Sequence, residues 1–492
     1  MRMNGKYFGW VLALAIVFSL PSFAQKNLKV APQTTGTRLM GMGVELDPHF
    51  FSQNLTRQDG AVEADWYRYV VPRVHSMRVQ RFRMMLQPHW WEPYEGVYTF
   101  ESPEMQSVCK VLDLAQECGA DVVLVQWGCP VSAQCIDPAY GYIGAHWLYH
   151  PDGLAWVTRA GDEEAFARNF IDVVHYLVVE KGYDCIKEIT PFNEPDGMVC
   201  DLEHYIPQAK ILYKELCRRG LDDRIKLNLS DNTDCRTWFL KACSQQLSQE
   251  AGLFNSHTYI FGYETPNSKA LAWEKENVRL SRNAGKKHFV GEFGSNQCVG
   301  AARQKDINWY KRGVLMVRNC LNFLNAGAAG ASYWGLLDQY YGRDASYGEM
   351  QQLGLWRYKE NAYQPEDLDP AIQGDYACRP QYYAYSLMTR FVRKGDWVYA
   401  IDTGEEFVAA SAILGQGRRW TYIFANNSDQ NYICTLTNSH LFGDRPCVCY
   451  RYQEGSLPSD GTQIAADGRI EAGDGKFSLE IPAQTVLLLT QE

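Results

Sequence analysis

ITPFNEPDG, residues 189–197, places Asn193, Glu194 and Pro195 directly after an apolar run that has the pattern of a buried strand. A carboxylate at the end of such a strand is either an incidental loop residue or a catalytic group held on a rigid support. The pattern of the rest of the chain decides between these two interpretations.

The surrounding chain alternates short apolar runs with longer amphipathic segments from about residue 38 onward. The apolar runs predict strands that are buried on both faces, as in a parallel sheet covered by helices. Their ranges are 39–45, 77–84, 121–127, 186–192, 225–230, 252–259, 288–292 and 328–334. Helical patterns cover 64–76, 103–118, 163–179, 206–219, 234–247, 268–283, 305–325 and 380–392. Eight such strand–helix repeats predict an α/β fold, the (β/α)8 TIM barrel.

The structural alternative is a doubly wound open sheet, as in dehydrogenases. Such a sheet normally carries a glycine-rich phosphate-binding loop after its first strand. In GMGVELDPHF, residues 41–50, Gly41 and Gly43 fall inside or before the first predicted strand. The sequence therefore disfavours the open sheet.

A second domain is predicted after residue 393, where the pattern changes to short alternating runs separated by Gly, Asn and Asp turns. This pattern is typical of a small all-β sandwich. We therefore expect a barrel domain over residues 25–392 and a sandwich over 393–492. No Pro/Ser-rich linker separates them, which favours a sandwich packed on the barrel. KNLKVAP, residues 26–32, offers one further strand to the sandwich.

Two predicted loops are unusually long, 128–161 and 336–379, and both follow barrel strands. Long loops in compact domains tend to be functional. Because both follow strands, they are expected on the face where barrel enzymes build their sites.

Residues 1–24 have the pattern of a secretory signal peptide. Arg2 and Lys6 precede an apolar run over 10–20, and SFA at 22–24 offers the small residues of a cleavage site. We expect cleavage after residue 24 and export to the periplasm or the extracellular space, with no membrane attachment afterwards.

Composition excludes several function classes. The formal net charge of −9 argues against nucleic-acid or anionic-membrane partners. The 15 cysteines show no CxxC pair with zinc spacing, so the sequence does not indicate a structural metal. Aromatic residues make up 13% of the chain, a content that suits sugar-binding clefts and large cores alike. The oligomeric state is left open by the sequence.

The carboxyl ends of the predicted strands carry two glutamates. Catalytic groups of a (β/α)8 barrel project from these ends. Glu194 follows the fourth strand, and Glu292 ends the seventh in HFVGEFGS, across the barrel mouth. Two facing carboxylates suit glycoside hydrolysis, in which one acid protonates the leaving oxygen and the other attacks the anomeric carbon or activates water.

With NEP after strand four and a Glu at the end of strand seven, the chain resembles the clan A glycoside hydrolases, which are retaining barrel enzymes. The resemblance extends to families 5, 30, 39 and 79 and covers about residues 38–492. It implies that Glu194 is the acid/base, that Glu292 is the nucleophile, and that Asn193 binds the 2-hydroxyl of the reacting sugar.

Further polar positions match the pattern of this clan. SHTYIFG at the end of strand six contains His257 and Tyr259. The resemblance implies that the tyrosine hydrogen-bonds the nucleophile and that the histidine lines the sugar subsite. RFRMML on strand two contains Arg83, which would hold the nucleophile ionised, although Arg81 faces the same way.

Aromatic positions extend the resemblance. Trp334 ends strand eight, where the clan places the tryptophan floor of the subsite, while Trp127 and Trp90 belong either to the core or to sugar stacking. WWEPYEGVYTF, residues 90–100, resembles the segment after strand two. RPQYYAYSLMTRFV, residues 379–392, resembles the closing helix before an accessory β-sandwich.

Three more acidic residues and one asparagine near strand ends have two interpretations each. One interpretation places Asp231 and Asn232, after strand five, in the lining of the cleft. The other, which is favoured, makes Asp231 or Asp234 the cap of the next helix. Glu45 on strand one is either structural or a substrate contact.

The sequence thus predicts an exported retaining β-glycosidase, an O-glycosyl hydrolase that acts on a β-linked poly- or oligosaccharide without a cofactor or metal. A transglycosylase with the same residues is one alternative. A non-catalytic glycan-binding barrel is another, and the presence of both carboxylates disfavours it.

Overall fold

The computed structural model of the protein describes residues 25–51, 63–127, 148, 160–197, 200–234, 236–299, 303–341 and 350–491. The predicted signal peptide over 1–24 lies outside the described residues, and so does most of the long loop 128–161. No helix within the described ranges has the length and apolar content required to cross a membrane.

Eight parallel strands close into a barrel, as the sequence predicts. The eighth strand closes onto the first, with Ser332 paired to Gly43. Most strand residues are buried, which explains their uninterrupted apolar runs. In chain order the first to eighth barrel strands are Gly43–Glu45, Arg81–Leu86, Asp121–Gln126, Ile186–Thr190, Lys226–Asn232, Ala251–Thr258, Lys287–Phe293 and Ala331–Tyr333.

The outer layer of the barrel is helical. A first segment runs through Glu63–Asp65, the π-helical Trp66–Val70 and Val71–Met77; the others are Pro103–Glu117, Glu163–His175, Leu202–Arg218, Thr237–Gln246, Asn267–Asn283, Tyr310–Ala326 and Pro380–Phe391. A further π-helical turn, Tyr176–Glu180, extends the segment that begins at Glu163.

Local signals fix several element ends. Asp162 caps its helix, because its carboxylate accepts a hydrogen bond from the Ala165 N–H at 2.9 Å. The second barrel strand begins at residue 81 and not at the predicted 77, because the first helical segment continues to Met77. Arg78 then takes a left-handed φ of 54° and ends that segment.

The sandwich comprises a six-stranded and a three-stranded sheet. In spatial order the larger sheet contains Trp397–Ile401, Val408–Leu414, Trp420–Asn426, Thr485–Thr490, Cys447–Tyr452 and Arg469–Ile470. The smaller sheet contains Lys26–Lys29, Tyr432–Thr437 and Lys476–Ile481. Because its first strand pairs in parallel with its second, the extra strand predicted from KNLKVAP is confirmed.

One hydrophobic core joins the barrel to the sandwich. It contains Leu321 of a barrel helix together with Ile413 and Leu488 of the larger sheet. Tyr310 and Tyr452 stack across the junction with ring centroids 4.7 Å apart. The sandwich therefore packs directly on the barrel, as the missing linker predicts.

Candidate active site

A cavity of about 390 Å³ opens among the carboxyl ends of the barrel strands. Six residues predicted for the site line it, namely Asn193, Glu194, Tyr259, Glu292, Trp127 and Trp334. The other two predicted residues, Arg83 and His257, are buried and hydrogen-bonded to the two glutamates. The fold thus brings all eight predicted residues together in one place.

Glu292 lies on the seventh barrel strand and is only 5% exposed. Arg83 Nη1 donates to Glu292 Oε1 at 2.6 Å, and the Tyr259 hydroxyl donates to Glu292 Oε2 at 2.8 Å. Burial raises the pKa of the Glu292 carboxyl to about 7, against the opposing charges of His257 and Arg83. Both partners predicted for an ionised Glu292 are present, but burial moves its ionisation to neutral pH.

Glu194 follows the fourth barrel strand at the rim of the cavity, where 32% of its side chain is exposed. Its backbone has a φ of 44°, in the left-handed region that residues with a side chain rarely adopt. The Gly197 N–H closes this turn by donating to the Glu194 carbonyl oxygen at 2.9 Å. Such a conformation costs energy and persists where the surrounding structure enforces it; here it directs the carboxylate into the cavity.

The two glutamates are close together. One carboxylate oxygen of Glu194 and one of Glu292 lie within 4.8 Å of each other. Nδ1 of His257 contacts both, 2.8 Å from Glu194 Oε1 and 3.5 Å from Glu292 Oε2. Both carboxylates therefore face the same cavity at short range.

Arg83 connects four acceptors beneath the cavity. In addition to Glu292, its Nη1 contacts Glu45 Oε2 at 3.1 Å. Its Nη2 donates to Asn193 Oδ1 and to Asp231 Oδ2, both at 2.8 Å. Burial raises the pKa of Glu45 well above its ordinary value, against the charge of Arg83, which favours the neutral form of Glu45 beside Glu292.

Arg81, the sequence alternative to Arg83, does not reach the glutamates of the cavity. Its Nη1 donates to Glu188 Oε1 at 3.0 Å inside the barrel. Side chains two residues apart on a barrel strand face inward in different layers, and Arg83 lies one layer nearer the carboxyl end. The structure therefore places Arg83 at the site and Arg81 in the barrel interior.

The environment of His257 favours its charged form. Its Nδ1 faces Glu194, and its Nε2 lies 3.2 Å from Asp231 Oδ1. Burial opposes protonation, but the charges of Glu292 and Asp231 outweigh it and raise the pKa of His257 well above its ordinary value. Despite burial, Arg83 and His257 hold the pKa of Asp231 at about 2. Asp231 thus supplies negative charge to two buried groups, Arg83 and His257.

The aromatic predictions have different outcomes. Trp127 and Trp334 line the cavity and belong to a separate apolar cluster with Tyr341. Trp90 is buried in the main barrel core and packs edge-on against His49, with ring centroids 5.5 Å apart. Of its two sequence interpretations, the core position is the one observed.

The helix-capping prediction for Asp231 and Asp234 is wrong. The helix Thr237–Gln246 begins after Arg236 and has no side-chain cap. Asp231 is held inside the barrel by Arg83 and His257. Asp234 lines the cavity and accepts a hydrogen bond from the Tyr259 N–H at 2.6 Å. Burial raises the pKa of Asp234 to about 7. Asp231 lies at the carboxyl end of strand five and Asp234 follows it, and this position was the available signal for a site role.

Sequence reasoning missed other residues that line the cavity. Cys298, Arg303 and Gln304 come from the segment after the seventh strand, and Gln351 and Leu353 from the segment after the eighth. The second of these segments falls within the predicted long loop 336–379. Only the length of that loop could have indicated them, because neither segment carries a periodic pattern.

Glu194, His257 and Glu292 each present one atom that could ligate a cation, all within 4.8 Å of one another. Two features disfavour a metal here. A metal-binding imidazole needs a free lone pair, whereas the raised pKa of His257 favours the form in which both ring nitrogens carry protons. Arg83 already places a positive charge against Glu292. The sequence prediction of a metal-free site remains a prediction that these charges support.

Comparisons with known proteins identify the fold. No family model matches the chain, and no curated protein matches its sequence. The structural alignment with a glycoside hydrolase family 30 subfamily 8 xylanase from Clostridium acetobutylicum covers 94% of this chain and 99% of the xylanase, with TM-score 0.64 and 13% identity. An endo-β-1,6-glucanase covers 94% and 93%, with TM-score 0.61 and 13% identity. A family 39 glycoside hydrolase from Bacteroides cellulosilyticus WH2 covers 92% and 81%, with TM-score 0.59 and 14% identity. The predicted likeness in fold to families 30 and 39 is confirmed.

Proposed function

We propose that the chain is a retaining glycoside hydrolase that cleaves β-glycosidic bonds of a poly- or oligosaccharide. The observation that carries the proposal is the pair Glu194 and Glu292, whose carboxylate oxygens lie within 4.8 Å of each other. Retaining enzymes hold their carboxyl groups about 5–5.5 Å apart, whereas inverting enzymes need about 6.5–9.5 Å to admit a water. The short separation favours direct attack by a carboxylate.

The reaction follows from the surroundings of the two glutamates. Glu292, held by Arg83 and Tyr259, attacks the anomeric carbon while the protonated Glu194 gives its proton to the leaving oxygen. The glycosidic C–O bond breaks and a covalent glycosyl–Glu292 ester forms. Glu194, now ionised, takes a proton from water, whose oxygen displaces Glu292 and restores both groups. Two displacements at one carbon give net retention.

The neighbouring side chains have complementary roles in this proposal. Asn193, fixed by Arg83, presents its amide nitrogen to the 2-hydroxyl of the reacting sugar. His257 hydrogen-bonds Glu194 and orients it. Trp334 and Trp127 offer flat faces on which apolar sugar faces pack as positive charge builds at the anomeric carbon.

The fold neighbours support a carbohydrate substrate, since they include a xylanase and an endo-β-1,6-glucanase. These two neighbours act on different polymers, so a substrate screen has to span both classes. We further propose that residues 1–24 are a cleaved signal peptide and that the exported protein consists of a catalytic domain, 25–392, and a sandwich domain, 393–492.

The function is tested on the mature protein isolated after expression of the full chain, whose mass should equal that of residues 25–492. The expected result is hydrolysis of at least one aryl β-glycoside or β-glycan from a panel of xylans, glucans, mannans, galactans and uronic-acid-containing chains. Proton NMR of the first product should show the β-anomer before mutarotation. First appearance of the α-anomer contradicts the retaining mechanism. Added acceptor sugars distinguish a transglycosylase, and saturable glycan binding without turnover indicates the glycan-binding alternative.

The pH dependence should report Glu292. Because the pKa of Glu292 is raised to about 7, kcat/KM should rise with pH through an acid limb near neutrality, as the nucleophile ionises. Tyr259→Phe removes a hydrogen bond that favours the ionised form, so the limb should move up by roughly one pH unit. The pH profile of both proteins on one activated aryl glycoside checks this shift. An unchanged limb in Tyr259→Phe contradicts the assignment.

A further inference from the structure

A second cavity, of about 530 Å³, lies at the opposite end of the barrel from Glu194 and Glu292. Its wall includes Gln80 and Gly119, which precede the second and third barrel strands, and Tyr450 of the sandwich. It therefore lies at the amino ends of the strands, between the two domains. Barrel enzymes do not build their catalytic sites on this face.

The cavity is strongly cationic. Its described lining residues include five cationic side chains and one carboxylate: Arg78, Arg390, Arg393, Lys394 and Arg419 against Asp396. The chain as a whole has a formal net charge of −9. The cavity is therefore locally positive in a chain whose net charge is negative.

Backbone carbonyl oxygens, and not carboxylates, accept most hydrogen bonds of these cations. Arg393 Nη1 donates to the carbonyl oxygens of Arg78 and Thr389 at 2.6 and 2.9 Å. Arg390 Nη1 donates to a carbonyl oxygen of the sandwich at 3.3 Å. Within the described part of the chain, Lys394 is the one cation of the five that has a carboxylate at ion-pair distance. Its Nζ lies 2.5 Å from Oδ2 of Asp121 on the third barrel strand. Carbonyl oxygens carry no full charge, so these hydrogen bonds do not neutralise the guanidinium groups of Arg390 and Arg393.

The cations also destabilise the charged forms of one another. Burial lowers the pKa of Arg390 and of Arg393, and the nearby charge of Arg78 lowers both further. Burial raises the pKa of Asp396 to about 6, against the charges of Arg393 and Arg419, so at neutral pH it is one carboxylate among five cations. A bound anion would relieve the repulsion and complete the hydrogen bonds of the guanidinium groups.

We propose that this cavity binds a small polyvalent oxyanion of the phosphate, pyrophosphate or sulfate type. Guanidinium groups donate paired hydrogen bonds to such oxyanions. Arg78 ends a barrel helix, Arg393 lies in the connection between the domains, and Arg419 directly precedes the strand Trp420–Asn426 of the sandwich. An anion bound there contacts both domains and stabilises their packing by an amount that grows with the logarithm of its concentration once this exceeds the dissociation constant.

The test is isothermal titration calorimetry of the mature chain in chloride buffer, with pyrophosphate, orthophosphate and sulfate as separate titrants. We compare the wild type with the double variant Arg78→Gln/Arg419→Gln. Arg418→Gln is the matched control, since it removes an exposed charge next to Arg419 that does not line the cavity. Unfolding midpoints in chloride verify that all three proteins are folded.

The expected result is one saturable site per chain for at least one of the three anions. The dissociation constant should rise about tenfold or more in the double variant, the loss expected when charge-assisted hydrogen bonds are removed. It should stay within about twofold in Arg418→Gln, since no hydrogen bond to the anion is lost there. The order of the three affinities identifies the preferred anion. Absence of saturable binding by the wild type, or equal binding by the double variant, overturns the proposal.

Discussion

Replacing Glu292 with glutamine is expected to lower the rate of glycoside hydrolysis by about 10⁴-fold or more. The amide keeps the shape of the side chain and its contacts with Arg83 and Tyr259, but it is too weak a nucleophile to form the glycosyl–enzyme bond. The measurement is kcat/KM on a substrate that the wild type cleaves. Glu276→Gln, which removes an exposed carboxylate that pairs with Arg279 on an outer helix, is the control and should keep nearly full activity.

The same Glu292→Gln variant should not lose stability, and this outcome separates a catalytic role from a structural one. The folded-state pKa of about 7 exceeds the value of about 4.3 for an unperturbed glutamate. The folded protein therefore holds its proton more tightly than the unfolded chain, and the contribution of Glu292 to stability falls as pH rises from about 4 to 7. Glutamine has no proton to lose.

We therefore expect the unfolding midpoint of Glu292→Gln to rise relative to wild type across this pH range, and to match or exceed it at pH 8. A structural glutamate would give the opposite result, an inactive and unstable variant. Activity above a tenth of the wild-type value would show that another group supplies the nucleophile.

The barrel and its two glutamates are predictable from the sequence because both follow from short-range patterns. Strands that are buried on both faces leave continuous apolar runs, and the carboxyl end of such a run fixes which residues face the cavity. Glu194 and Glu292 are therefore found by position alone. Arg83 and Arg81 show the limit of this reasoning, since both face inward and the layer of each depends on barrel stagger.

Asp231 shows a second limit. Its carboxylate reaches Arg83 and His257 because Ser230 and Asp231 take positive φ values of 77° and 50° at the end of strand five. No sequence pattern announces a left-handed backbone at residues other than glycine, because the surrounding structure imposes it. The capping interpretation followed local propensity, and tertiary contacts with two buried cations overrode it.

Replacing Glu194 with alanine should produce an effect that depends on the leaving group. A natural glycan needs a proton on its leaving oxygen, so its hydrolysis should fall by about 10²–10⁴-fold, the usual contribution of a general acid–base group. A 2,4-dinitrophenyl glycoside does not need that proton, because its dinitrophenolate leaves as a stable anion. Its first step should proceed at nearly the wild-type rate, and the glycosyl–enzyme should accumulate, because no base activates water for the second step. Stopped-flow release of dinitrophenol should show a burst equal to the enzyme concentration.

Azide provides the decisive step of this second prediction, since it attacks the glycosyl–enzyme without needing a base. In Glu194→Ala the lost side chain leaves space on the half-exposed rim of the cavity. Azide should therefore restore turnover and give a β-glycosyl azide, with the configuration of the substrate. Glu194→Gln is the matched control, because it removes the acid but keeps the volume, so azide should restore little of its activity. An α-glycosyl azide would instead identify Glu194 as the nucleophile and exchange the roles of the two glutamates. A Glu194→Ala variant that hydrolyses the natural glycan as fast as wild type would remove Glu194 from the mechanism.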